Sequence, residues 1–288
     1  MSKDKTKPKE TVFVNIGFGF WEILSDSSAS ARRVSEWYGP WAVGKHPVRG
    51  GKPAAEVVLT QTAAKTAGRR GIQRKKEGVR LKLSGISVNA DWRRVPWKIS
   101  VRSGGKRIEN ALRIVTRLLA MRHTLASGGI ILHASSANLG GKLVVFAGKS
   151  GVGKSTAVSR FPEANRLDDD TVILMERAGV WVRPDMPNLE APSAFAPKQV
   201  GELPVGAVIL PEAATAFRAR ILSGAEAFRA CLHLPPVWML PESSVPENAL
   251  HDVLAGIGRL INRVKVVRMG WNLSDDLPVL LADFLKST

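Results

Sequence analysis

Apolar and polar residues alternate along much of the first hundred residues, and this pattern predicts a sheet of short strands. The stretches that show it are TVFVNIGFGFWEIL (11–24), AAEVVLTQT (54–62), VRLKLSGISVNA (79–90) and PWKISVRS (96–103). Gly, Asn and Pro lie between them, as is typical of strand ends. Five of the eight tryptophans fall in this part, and we expect them to fill its core: Trp21, Trp37, Trp41, Trp92 and Trp97.

A helical period replaces the alternation after residue 105. In KRIENALRIVTRLLAMRHTLASGG, apolar residues recur every three or four positions from Ile108 to Leu125. Gly128 and Gly129 then predict the end of the helix. Strands and helices are both expected in the rest of the chain, so the predicted fold class is mixed α/β.

The composition is that of a globular protein, with 44% hydrophobic and 23% charged residues in 288. We expect a basic flexible tail (1–10), a β-rich N-terminal part (11–105) and an α/β core (106–288) that forms one continuous globular unit with the preceding part. The single cysteine, Cys231, excludes an internal disulfide and a cysteine-based zinc site. No apolar run reaches the roughly 18 residues of a membrane span, and MSKDKTKPKE lacks the apolar centre of a signal peptide. These features predict a cytoplasmic protein.

Positive charge is concentrated in the first half of the chain. Residues 1–140 hold 26 Lys and Arg against 9 Asp and Glu, whereas residues 141–288 hold 16 of each. The whole net charge of +17 therefore arises before residue 141. One basic stretch, GRRGIQRKKEGVR (68–80), is predicted to be an exposed hairpin or loop. Such a surface would either attract an acidic partner or serve only to keep the protein in solution.

The most specific motif is a glycine-rich segment between a predicted strand (143–147) and a helix predicted to begin near Lys154. It matches the G-x-x-x-x-G-K-S pattern of a P-loop, or Walker A motif. Glycines let backbone N–H groups turn towards a phosphate, and the following helix adds its positive end. Lys154 would reach the β- and γ-phosphates, and the Ser155 hydroxyl would ligate Mg²⁺. The predicted nucleotide-binding residues are Gly148, Lys149, Ser150, Gly151, Val152, Gly153, Lys154, Ser155 and Thr156.

Three consecutive carboxylates precede a second buried strand in RLDDDTVILME (166–176). Asp168, Asp169 and Asp170 repel one another, so a positive charge is expected at this strand end. A carboxylate at the end of a neighbouring strand commonly completes a P-loop site, and we therefore expect the aspartates to face Mg²⁺ and Lys154. An acidic helix cap or a solvated turn is the alternative.

These motifs resemble those of one enzyme family. LHASSANLGGKLVVFAGKSGVGKST…RLDDDTVIL is similar to the catalytic domain of HPr kinase/phosphorylase and its kinase-like relatives, which share a core with the nucleotide site of phosphoenolpyruvate carboxykinase. The residues that carry the resemblance, outside the P-loop, are His133, Arg166, Leu167, Asp169 and Asp170. VGAVILPEAATAFRARILSGAEAFRACLHL (205–234) and FVNIGFGFWEILSD are similar to segments of small kinase-related members.

The resemblance implies an ATP- and Mg²⁺-dependent kinase that transfers the γ-phosphoryl group to a hydroxyl. It implies catalytic roles for Lys154, for Asp169 as the base and for His133, which would orient an aspartate. Ser155 and Asp170 would bind the metal. Asp168, which stands outside the family's pair, would face water. The family also implies that the protein could be a homo-oligomer, because HPr kinases assemble into rings.

The acceptor does not follow from the resemblance. We find no counterpart of the N-terminal domain or of the glycine-rich substrate loop of HPr kinase, and relatives of this size act on free serine or on serine in ribosomally made peptides. Two other functions stay open from the sequence. One is a P-loop NTPase whose basic half binds nucleic acid, although no nucleic-acid-binding signature is present. The other is a regulatory nucleotide-binding module with a degenerate active site.

Overall fold

The computed structural model describes residues 10–16, 19–43, 45, 52–61, 71–75, 78–83, 86–91, 96–103, 108–187, 189, 201–234 and 249–288. These residues fall into two compact units, of which the first ends at Ala120 and the second begins at Met121. The division lies inside the helix α2 (Ile108–Ala126). The glycine-rich segment and the three aspartates all belong to the second unit.

The first unit contains a sheet of eight described strands in the order β3-β1-β2-β4-β8-β7-β6-β5. The predicted stretches 11–24 and 79–90 are each divided into two antiparallel strands. The described parts of 68–80 form the antiparallel pair β5–β6, as the hairpin prediction requires. The elements are β1 (Glu10–Ile16), β2 (Gly19–Ser25), α1 (Ser28–Tyr38), β3 (Ala42–Val43), β4 (Ala55–Gln61), β5 (Gly71–Lys75), β6 (Gly78–Leu83), β7 (Ile86–Asp91) and β8 (Trp97–Ser103).

Aromatic side chains fill the core of this unit. Trp21, Trp41 and Trp97 are buried, as predicted, and Trp37 is half-buried. Trp92 lies outside the described residues. The Tyr38 hydroxyl shares a 2.7 Å hydrogen bond with Oγ1 of Thr116. The pairing satisfies two polar groups that would otherwise be costly to bury.

The second unit carries a mixed sheet with helices around it. Its strands are β9 (Ile130–Leu132), β10 (Ala134–Leu139), β11 (Lys142–Ala147), β12 (Arg166–Asp168), β13 (Val172–Arg177), β14 (Val180–Arg183), β15 (Leu203–Ala213), β16 (Arg218–Ile221) and β17 (Lys265–Trp271). Its helices after α2 are α3 (Lys154–Ser159), α4 (Gly224–Cys231), α5 (Ala249–Ile261) and α6 (Leu277–Ser287). The two sheets with their helices confirm the mixed α/β class. No helix in the described part of the chain is both long and apolar enough to span a membrane.

Strand direction in this sheet brings the two motifs to one edge. β11 pairs in parallel with β15, and β15 pairs in parallel with β17. On its other side β11 pairs antiparallel with β10, which in turn pairs antiparallel with β12. Two antiparallel steps restore the original direction, so the carboxyl ends of β11 and β12 lie at the same edge of the sheet. The three aspartates therefore lie at the end of a strand that is next but one to β11, rather than its direct neighbour.

Apolar packing behind β11 holds this edge in place. Phe146 on β11 and Phe161, after α3, make an edge-to-face contact with ring centroids 5.8 Å apart. Val267 and Met269 on β17 and Leu281 on α6 belong to the same buried cluster. Aromatic pairs of this kind add to the stabilisation from apolar burial alone. The end of β11 and the start of α3 are thus fixed by a shared core.

Candidate active site

The glycine-rich loop, defined as Gly148–Ser155, joins β11 to α3. Gly151 and Gly153 have φ angles of 80° and 99°, which L-residues with side chains rarely adopt. A Cβ on Gly148 would lie 2.9 Å from Cγ1 of Val152, so a side chain there would collide with the loop itself. The backbone N–H groups of Gly151 and Gly153 donate to no other residue in the described part of the chain. The loop thus offers donors that an anionic ligand can use.

Lys154 places a cation on the inner side of the loop. Its side chain is buried, with 6% exposure, and Nζ donates to the carbonyl oxygens of Gly148 (3.0 Å) and Lys149 (2.9 Å). Burial lowers the pKa of the Lys154 ammonium below its ordinary value, and the charges of Asp170 and Asp169 oppose that shift. In contrast, Lys149 and Ser150 are exposed within the loop.

Asp169 is held against the start of α3. Its Oδ1 accepts hydrogen bonds from the hydroxyl of Ser155 (2.7 Å), the hydroxyl of Ser135 (2.6 Å) and the backbone N–H of Asp170 (3.1 Å). Ser135 lies on β10 and is buried. A hydroxyl and a carboxylate are hard oxygen ligands of the kind that Mg²⁺ prefers. Ser155 and Asp169 therefore fit a Mg²⁺ site that substrate phosphates and water would complete.

Asp170 points to a different neighbour. Its Oδ1 lies 3.4 Å from Nε2 of His133, and the two side chains are 48% and 25% exposed. Asp170 has a φ of 61°, and the N–H of Thr171 donates to the carbonyl of Asp169 at 2.7 Å, which closes a tight three-residue turn. Non-glycine residues in this conformation are strained and cluster at functional sites. The turn directs adjacent carboxylates towards separate partners.

Asp168 does not face water, and that prediction is wrong. Its side chain is 7% exposed and accepts hydrogen bonds from Arg183 at both oxygens, at 2.7 and 2.9 Å, and from the Ser136 hydroxyl at 2.6 Å. Burial alone would lower the pKa of Arg183, but the charge of Asp168, its hydrogen bonding to Arg183 and the charge of Asp185 together outweigh burial and raise that pKa. The positive charge expected at this strand end is therefore supplied to Asp168 by Arg183 of β14.

Three residues that hold the aspartates were not predicted from the sequence: Ser135, Ser136 and Arg183. A signal for them is present, because each is a polar residue in a mostly buried strand, ASSANL for the serines and VWVR for the arginine. A buried polar side chain needs a buried partner. Which partner it meets depends on strand pairing, and the pairing of β10 with β12 was not predictable from spacing.

The structure gathers most of the predicted site residues. Lys154, Ser155 and Asp169 lie together at the loop. His133, directly before β10, and Asp170, shortly after β12, lie beside them. Thr156 is exposed on α3, and Val152 is half-buried. Within the described ranges, no three His, Cys, Asp or Glu side chains gather as a metal site. A metal here would thus rely on few protein ligands, as Mg²⁺ does when phosphates supply the others.

Comparisons with known proteins give little beyond these contacts. No protein-family model matches the chain, and no curated protein matches it. Among solved structures, the HPr(Ser) kinase/phosphatase from Coxiella burnetii matches with 14% sequence identity and a TM-score of 0.29, covering 55% of this chain and 94% of that one. A TM-score this low does not establish a shared fold, so the function proposed below rests on the residues of this chain.

Proposed function

We propose that the protein is a kinase that binds ATP at the glycine-rich loop and transfers the γ-phosphoryl group to a hydroxyl of an acceptor, with Mg²⁺ as the metal. The observation that carries this proposal is the 2.7 Å hydrogen bond from Ser155 to Asp169. It joins the last residue of the loop to a carboxylate from a separate strand. Phosphoryl transfer needs positioning and charge neutralisation, and this arrangement supplies groups for both.

The loop and Lys154 bind the phosphates in this proposal. Backbone N–H groups at Gly151 and Gly153 donate to phosphate oxygens, and the Lys154 ammonium leaves its carbonyl partners in the loop to pair with the β- and γ-phosphates. Lys154 is already held within the loop, at 3.0 Å from the carbonyl of Gly148. Little side-chain ordering is therefore needed when the nucleotide binds.

Ser155 and Asp169 hold the metal in this proposal. The resemblance implied Asp169 as the base and Asp170 as a metal ligand, so the two roles are exchanged. Asp169 shares its Oδ1 with Ser155, the hydroxyl that the motif assigns to Mg²⁺, whereas Oδ1 of Asp170 lies 3.4 Å from Nε2 of His133. When bound, Mg²⁺ neutralises the charge that develops on the transferred group. The carboxylate of Asp169 fixes the position of the Ser155 hydroxyl and adds a negative ligand beside it.

Asp170 is then the base. Its carboxylate is half-exposed and accepts the proton of the acceptor hydroxyl as that oxygen bonds to the γ-phosphorus. The bond from the γ-phosphorus to the bridging oxygen breaks at the same time, and ADP leaves with the electron pair. His133, 3.4 Å from Asp170, orients the carboxylate.

The acceptor in this proposal is a serine hydroxyl, either in a peptide or protein or in free serine. The concentration of positive charge in residues 1–140 favours an acidic acceptor, because a basic surface raises the local concentration of negatively charged molecules.

Labelled ATP tests the proposal directly. Purified protein is incubated with Mg²⁺, γ-labelled ATP and either free serine or a serine peptide flanked by acidic residues, with Lys154→Ala as the control. We expect label on an acceptor hydroxyl with the unaltered protein and none with the variant. ATP hydrolysis stimulated by polynucleotide, without transfer to any hydroxyl, would instead identify an NTPase.

A further inference from the structure

Asp168 and Arg183 form a buried ion pair that the proposed catalytic steps leave unused. Their side chains are 7% and 1% exposed, and the guanidinium donates to both carboxylate oxygens. Arg183 also donates to the carbonyl oxygens of Pro184 and Met186, each at 3.0 Å. Ser136 donates to Oδ2 of Asp168 at 2.6 Å. A planar guanidinium with this many partners admits few other geometries, so the pair fixes the position of Asp168.

The strand that ends at Asp168 is short, and its pairing is irregular. β12 is three residues long, and it pairs with β10 at Ser136↔Asp168 and Ala137↔Arg166 with a register shift between the two. The next residue, Asp169, enters the tight turn around Asp170. Backbone pairing alone therefore leaves the direction of Asp169 weakly specified.

We propose that the Asp168–Arg183 pair positions the metal-binding carboxylate. Asp168 and Asp169 are adjacent, so any shift of Asp168 moves the backbone from which the Asp169 side chain projects. The ion pair holds that backbone so that Oδ1 of Asp169 stays at 2.7 Å from the Ser155 hydroxyl. Arg183 is thus a positioning residue, and it acts through its neighbour without contact to the nucleotide. This inference rests on the function proposed above, which gives the metal to Asp169.

The double variant Asp168→Asn/Arg183→Met tests the inference. It removes both charges together, so no unpaired charge is left buried. Calorimetric titrations with ADP, at a series of Mg²⁺ concentrations and without Mg²⁺, measure the two binding events without any need for turnover. We expect unchanged ADP affinity in the absence of Mg²⁺. We expect the Mg²⁺ concentration that half-saturates the ADP-bound protein to rise about tenfold to a hundredfold, the usual effect of losing a group that orients a metal ligand.

The control is Arg220→Met/Glu226→Gln in the same unit. Arg220 and Glu226 also form a bidentate pair, at 2.9 and 2.6 Å, on β16 and α4, and in the described part of the chain no hydrogen bond or ion pair joins either of them to the loop or the aspartates. This control should keep the Mg²⁺ requirement of the unaltered protein. If the Asp168–Arg183 pair only stabilises the fold, both double variants should have the same Mg²⁺ requirement. Equal requirements would therefore refute the positioning role.

Two further outcomes separate this inference from the proposed function. If the unaltered protein shows no Mg²⁺-dependent binding of ADP, the proposed function fails and the inference fails with it. If the double variant does not fold, Arg183→Lys decides the matter, because it keeps the charge and loses the two-pronged geometry. A folded Arg183→Lys protein with an unchanged Mg²⁺ requirement overturns the inference, and a raised requirement supports it.

Discussion

Ser135 and Ser136 are adjacent on β10, and each donates a 2.6 Å hydrogen bond to a different aspartate. Ser135 binds Asp169, and Ser136 binds Asp168. Successive side chains on a strand point to opposite faces of the sheet, so this pair of serines holds the two carboxylates apart. Asp169 can thus face the loop while Asp168 is buried with its arginine.

The two serines give a matched pair of mutations. Ser135→Ala removes a bond to the carboxylate that we assign to the metal, and we expect the Mg²⁺ requirement of nucleotide binding to rise about tenfold. Ser136→Ala should lower the free energy of unfolding by about 1 kcal/mol and leave that requirement near normal, because Arg183 still holds Asp168 at both oxygens. Calorimetry and urea denaturation measure the two effects. Equal Mg²⁺ requirements in the two variants would contradict the assignment of Asp169.

Lys154→Ala should abolish measurable binding of Mg-nucleotide and leave the fold intact. The lysine supplies phosphate charge, and its hydrogen bonds in the described structure go only to the carbonyl oxygens of Gly148 and Lys149. Lys142→Ala is the control, since Lys142 is exposed at the start of β11, outside the loop. Titration calorimetry with ATP checks both variants. Unchanged affinity in Lys154→Ala would refute the P-loop assignment.

Asp170→Asn should bind Mg-ATP and transfer poorly. The amide keeps the shape of the carboxylate but cannot accept a proton, so the transfer rate should fall by roughly a hundredfold or more. Rates measured against Mg²⁺ concentration should show no recovery at high Mg²⁺.

Asp169→Asn should respond to Mg²⁺ in the opposite way. Losing a metal ligand raises the Mg²⁺ concentration needed for activity, and part of the transfer rate should return when Mg²⁺ is increased. If instead Asp170→Asn recovers with Mg²⁺ and Asp169→Asn does not, the roles are those that the family resemblance implied. Near-normal transfer in both variants would refute the mechanism.

Cys231 should be unreactive towards thiol reagents in the native protein at pH 8. Its side chain is 1% exposed, and burial raises the pKa of the thiol to about 12, so the reactive thiolate is scarce well above neutral pH. The thiol should label fully once urea unfolds the chain. Rapid labelling without denaturant would show that the end of α4 is not packed as described.

The sequence predicts the local elements of the site better than its contacts. The β11 strand, the glycine-rich loop and the start of α3 follow from hydrophobic pattern and motif, because each is determined by neighbouring residues. The burial of Asp168 in an ion pair does not follow from them, because Arg183 reaches Asp168 only when β14 packs near the end of β12. Non-local pairing of this kind depends on the whole sheet, and the same holds for the contacts of Asp169 and Asp170 from which we propose their roles.

The parallel strand β15 sets when the site can form during synthesis of the chain. β11 carries the loop at its end, and its partner on one side, β15, begins only at Leu203. β15 in turn pairs with β17, which ends at Trp271. A nascent chain that has emerged from the ribosome only as far as α3 therefore contains the complete loop motif. It still lacks β15, the strand that pairs with β11. Nucleotide affinity should appear late in translation, after the residues that would contact the nucleotide have long been made.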